Sequence, residues 1–207
     1  MKKLTFVMLF ILAVGLTIVA CERSVNEPTP ATTTIQSDMP GLSELQKQEV
    51  LALLNTDDIA DAGVVQKGYE VLPFAIGWAM RTYEGTDIHR YLAFKARVKN
   101  SGNVKGEGII IKTSEDPELR QEVRFKIDCL NIEGGQAIMS GVCLKGKDLA
   151  QEPGYWTGRL FQFKVIDGYP DMMTHFANGT IEDAPICGED VGWDLWEIEA
   201  GFIIVHD

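Results

Sequence analysis

Thiols are the most reactive side chains in this 207-residue chain, and three of its four cysteines, Cys129, Cys143 and Cys187, fall in its second half. Cys187 with His175 and either Asp171 or Asp183 supplies the residue types of a nucleophilic site: a thiolate, a base, and a carboxylate to orient the base. Three such residues in one acidic loop also arise by chance, so no catalytic residue is assigned. Disulfide chemistry competes for the same atoms. One bridge among Cys129, Cys143 and Cys187 has three pairings and leaves one thiol over. With a hairpin turn centred on Gly134-Gly135, position 140 lies opposite Cys129, three residues short of Cys143. A Cys129–Cys143 bridge would then need a bulge or a shifted turn, whereas Cys187 can reach either partner. A buried, unreactive cysteine is the plainest role for each of them.

Other motifs imply less. Gly141-x-x-x-x-Gly146-Lys147 imitates a phosphate-binding loop but continues with Asp148, where a Mg²⁺-binding Ser or Thr belongs. His89, His175 and His206 are scattered, without the spacing of a zinc site. Asp167, Asp171, Asp183, Glu189 and Asp190 offer oxygen ligands but no EF-hand spacing, and a solvated acidic loop is the simpler reading. No metal or cofactor is implied. Tyr155, Trp156, Tyr169 and Trp193 lie near strand ends, where aromatic residues can form a sugar-binding platform or a protein contact, or can cover the open end of a core.

These residues are positioned by a body whose hydrophobic period is two. Phe74, Ile76, Trp78 and Met80 alternate behind Pro73, which marks an edge strand or a strand start. Leu92 to Val98 alternates with Lys95 and Arg97, turns at Asn100-Ser101-Gly102-Asn103, and returns as Val104 to Lys112. Val123, Phe125, Ile127 and Cys129 alternate with Arg124, Lys126 and Asp128, and Glu133-Gly134-Gly135-Gln136 turns that strand into Ala137 to Leu144. Arg159 to Ile166 and Trp193 to Val205 complete the set, with Trp196, Ile198, Ala200, Phe202 and Ile204 expected on one face. The 26 residues from Asp167 to Gly192 form a long connection, of the kind that is usually functional or unstructured. Long strands joined by short turns, without alternating helices, predict a mainly β fold: an antiparallel sandwich or barrel over 67–207.

Ahead of the body, Leu42 to Leu54 predicts one short helix within a segment, 42–66, that packs on it. Ser43 and Gln46 form a capping box, and Leu42, Leu45, Val50, Leu53 and Leu54 fall on one face. Residues 22–41 are rich in Pro and Thr and poor in apolar side chains, the composition of a disordered tether reaching at most about 70 Å. Lys2 and Lys3 precede an uncharged apolar run from Leu4 to Ala20, the layout of a signal peptide over 1–20. Ile18-Val19-Ala20-Cys21 resembles the bacterial lipobox. That resemblance implies acylation of the Cys21 thiol, removal of residues 1–20, and a protein anchored to a membrane, not spanning it.

Charge limits the partners. Nineteen basic residues against 30 acidic give −11, and losing Lys2 and Lys3 with the signal peptide leaves −13. Such a chain repels phosphate backbones, so nucleic acid is not expected as a partner. The strand series from about Tyr91 onward, including Val123-x-Phe125-x-Ile127-x-Cys129, Phe161-x-Phe163-x-Val165-x-Asp167-Gly168 and the terminal Gly201-Phe202-Ile203-Ile204-Val205-His206, resembles a family of secreted bacterial β-rich domains with no assigned activity. Together these readings imply a lipid-anchored protein of the bacterial envelope, facing away from the cytoplasm, whose β-domain binds a protein or surface component. A carbohydrate-binding module using Tyr155, Trp156, Tyr169 and Trp193 is the alternative, and a hydrolase-like enzyme centred on 167–192 the third.

Overall fold

The computed structural model describes residues 39–54, 71–174, 176–179, 187–190, 192 and 194–207. The signal peptide, Cys21 and nearly all of the tether lie outside them, as do His175, Asp183 and Trp193.

Gly turns and alternating strands do what their sequence dictates. Strands β1 (Phe74–Thr82), β2 (His89–Val98), β3 (Val104–Thr113), β4 (Gln121–Glu133), β5 (Gln136–Asp148) and β6 (Leu160–Ile166) follow one another as antiparallel neighbours. The β4–β5 hairpin turns on Gly134 and Gly135, both at positive φ (57° and 78°), where a side chain would be strained. Shorter strands β7 (Met172–Thr174), β8 (Ala177–Gly179) and β9 (Leu195–Glu197) extend the sheet beyond β6, and β10 (Ala200–His206) lies on the far side of β1. The architecture is therefore mainly β, one antiparallel sheet curled into a half-barrel with a single short helix among the described residues. Of the sandwich and the barrel, the curled sheet is the one formed.

Curling brings the two ends of the sheet onto one stretch of chain. β9 pairs with β7, and after Ile198 and Glu199 the same segment continues as β10 and pairs with β1 along its whole length. Pro73 thus marks a strand start, not an edge, because β1 has β10 on one side and β2 on the other. Gly201, at φ 128°, has no room for a Cβ against the Trp78 carbonyl. Beyond it the parity inverts. Trp196 and Ile198 pack on the core, but so do Ile203 and Val205, while Ile204 is exposed. The expectation of one continuous face from Trp196 to Ile204 is corrected accordingly.

Inside the curl sits an aromatic core. Phe94, Phe125, Phe161, Phe163 and Phe176 pack with centroid separations of 4.6–6.0 Å. Gly108, paired between Phe94 and Phe125, makes this possible, since a Cβ there would lie 2.3 Å from the Phe125 ring. The opposite face of β1–β3 is buried too, as two rungs. Trp78, Ala93 and Ile109 form one; Met80, Tyr91 and Ile111 form the next. Helix α1 (Glu44–Leu54) packs against β1, β2 and β3. Its capping box is formed as the sequence predicts: Gln46 N donates to Ser43 Oγ at 3.3 Å, and Ser43 N donates to Gln46 Oε1 at 3.1 Å. Leu42, Val50 and Leu54 are buried, and Glu49 pairs with Arg124 of β4. Leu45, predicted on the same face, is instead 75% exposed. No helix among the described residues is long and apolar enough to cross a membrane.

Candidate functional site

The cysteines are sorted by a bulge. From the hairpin turn, β4 and β5 run in register as far as the step between Cys129 and Ile127, where β4 has one residue extra. Cys129 falls opposite Ser140, as the hairpin geometry predicts, and Phe125 takes Cys143 as its partner. The bulge also inverts parity. Phe125 and Ile127 point into the core, Leu130 and Ile132 do so after the bulge, and Cys129 turns to the outer face. There it bridges Cys187, with Cα atoms 5.7 Å apart. Of the three open pairings this is the one adopted. Cys143 remains a free thiol inside the core, and burial pushes its pKa up to about 11, with the Arg159 charge pulling the other way.

The bridge begins a residue-by-residue attachment of segment 187–190 to the outer face of the sheet. Asn131 Nδ2 donates to the Gly188 carbonyl at 3.4 Å, and Gln162 Nε2 to that of Glu189 at 2.8 Å. Lys164 pairs with Asp190 and holds its carboxyl below the usual carboxylate range, aided by the Gly192 amide. The stretch from 167 to 192 is therefore in part an ordered set of short strands and anchored backbone, not a free loop.

That arrangement removes the Cys-His-Asp constellation. Cys187 has no thiol to ionise, and Asp171 is engaged elsewhere. Asp171 Oδ2 accepts the Ile203 amide at 2.8 Å, Asp171 Oδ1 accepts the Gly168 amide at 3.0 Å, and Asp167 Oδ2 accepts the Val205 amide at 3.0 Å. The amides of alternate residues on β10, which β1 does not use, are thus satisfied by two carboxylates from the β6–β7 turn. Among the described residues, no three His, Cys, Asp or Glu side chains are placed to hold a metal. The phosphate-loop imitation lies wholly within β5, and Gly146 is small because the Trp156 ring lies against it.

Of the four aromatic candidates Trp193 lies outside the described residues, and the other three, Tyr155, Trp156 and Tyr169, do not form a shared platform. Trp156 is 8% exposed, and its Nε1 donates to Asp148 Oδ2 at 3.2 Å. The turn from Gln151 to Arg159 folds it back over the end of the core, fixed by mutual backbone hydrogen bonds between Cys143 and residues 158 and 159 at 2.8 Å. Tyr155 is half-buried against Trp156, with the Arg159 guanidinium 3.8 Å above its ring. Tyr169 is fully exposed in the turn that carries Asp167 and Asp171.

A different feature has the shape of a site. Two rungs of the outer face adjoin those beneath α1: Phe74, Arg97 and Lys105, then Ile76, Lys95, Glu107 and Lys126. With Leu144, which the second β4–β5 bulge leaves exposed beside Lys126, they line a half-open groove of about 390 Å³. Lys95 pairs with Glu107 at 3.0 Å and Lys126 with Asp128 at 3.6 Å. Four cations against one carboxylate line this groove, in a chain whose net charge is −11. Its signal was present in the sequence as the polar parity of Lys95, Arg97 and Lys126. Only the register across four strands brings them together. No protein-family model, curated protein or solved structure matches this chain.

Proposed function

We propose that this chain is a lipid-anchored protein of the bacterial envelope, exported and attached through Cys21, whose β-domain acts by binding a surface component. The observation that carries this reading is the Cys129–Cys187 bridge. Disulfides persist in oxidising compartments outside the cytosol, which is where the lipobox resemblance would send the chain. The bridge also consumes Cys187, and the remaining described thiol, Cys143, is buried, so binding is favoured over covalent chemistry. Among the described residues, the groove on the outer face of β1–β4, closed at one side by Leu144 of β5, has a shape suited to that binding.

The test is metabolic labelling with radioactive palmitate. The wild-type chain takes up label and Cys21→Ser takes up none, while non-reducing electrophoresis of the same samples detects the intramolecular bridge. A wild-type chain without label, or equal label in Cys21→Ser, overturns the anchored reading.

A further inference from the structure

We propose that the groove on the outer face of β1–β4 binds a single-chain anionic amphiphile, an alkyl chain ending in a carboxylate. This rests on the binding role proposed above and names its ligand class. Its volume of about 390 Å³ is within the size range of small-molecule sites, which combine apolar walls with a few placed polar groups. Phe74, Ile76 and Leu144 supply apolar surface, extended by the methylene stems of Lys95 and Lys126. The charged ends of those stems, with Arg97 and Lys105, set the sign of the partner. Lys95 is already engaged by Glu107, so an incoming carboxylate joins or exchanges within a charge network and needs no vacant cation.

Competing occupants fit less well. A peptide cannot add as a strand here, because β1, β2, β3 and β4 each have a paired strand on both sides. A flat anionic bilayer would meet the acidic whole of the chain, whereas a single small anion meets only the groove.

The experiment adds a photoactivatable medium-chain fatty acid to membrane and soluble fractions from cells making the full chain, followed by irradiation and peptide mapping. Crosslinks are expected in the peptides carrying Phe74–Ile76, Lys95–Arg97 or Leu144. Labelling should fall about tenfold with Lys126→Glu, and as far when the probe is the matching uncharged alcohol. Lys126 is half exposed, so its replacement leaves the core untouched, and Leu144→Ala provides a second, uncharged reduction. Absence of crosslinks, crosslinks elsewhere, or equal labelling by acid and alcohol overturns the proposal. Because both fractions are probed, loss of palmitate labelling at Cys21 would reject the anchor without deciding the groove, and the reverse also holds.

Discussion

Cys143 and Cys129 lie in facing strands of one hairpin and have opposite fates. With its pKa pushed up to about 11 by burial, the Cys143 thiol is protonated at neutral pH and shielded by the core. Incubating the native protein with iodoacetamide at pH 8 should therefore modify no cysteine among 129, 143 and 187. Denaturation without reductant should release one reactive thiol, which peptide mapping assigns to Cys143. Rapid alkylation of the folded protein at Cys187 would mean that the bridge is absent. The sequence left one bridge open beside a buried, unreactive role for each cysteine, which only Cys143 takes, and it placed position 140 opposite Cys129. It did not reveal that the residue after Ile127 is extra, because a bulge leaves the hydrophobic alternation of Val123, Phe125 and Ile127 unchanged up to the point where it acts. For Trp156 the sequence left a platform and a cover over the end of the core both open, and the turn that folds it back, which its local spacing does not record, makes it the cover.

Local elements were legible where local chemistry decides them. Gly134-Gly135 fixed a hairpin, Ser43 and Gln46 capped a helix, and Asn100 to Asn103 made a turn. The connection of β10 to β1 and β9 to β7 was not legible, since pairings between distant segments leave no mark in either one's pattern. Two carboxylates support that connection. Replacing Asp171 by Ala leaves the part-buried Ile203 amide without its charged acceptor, at a cost of about 2 kcal/mol. Hydrogen exchange at Ile203 should quicken by roughly 30-fold, with β4 and β5 little changed. An unaltered Ile203 amide would show that the turn does not support the edge. Glu199 braces the other end: Thr82 donates both its amide and its hydroxyl to the carboxylate, each at 2.7 Å. The Thr82 hydroxyl is the main cause that holds the Glu199 carboxyl below its usual value of 4.5, and burial opposes it. A carboxyl depressed in the folded state stabilises the fold above its unfolded pKa and loses that contribution as pH falls through the lower, folded value. The melting temperature should thus decline as pH drops below about 4.5, and the decline should be shallower in Glu199→Gln. Parallel pH profiles for the two proteins would remove Glu199 from the acid response.

At the scale of the whole molecule, charge and burial are distributed by face. The inner face holds five packed phenylalanines, half of the outer face of β1–β3 is covered by α1, and the adjoining groove gathers four cations of a chain that is acidic overall. Composition gave the sum of these charges and could not give their separation. The segment from Leu195 to His206 binds the two ends of the sheet, and the Thr82–Glu199 hydrogen bond joins residues 117 positions apart. Synthesis runs from β1 towards β10, so β1 waits for its second neighbour until nearly all the other strands have been made. Strands β1 to β6 pair in sequence order, so the closure of β10 on β1 is the distant pairing that forms only when the chain is nearly complete. Until then the β1 edge presents unpaired backbone amides and carbonyls, a ready template on which a second unfinished chain could add a strand.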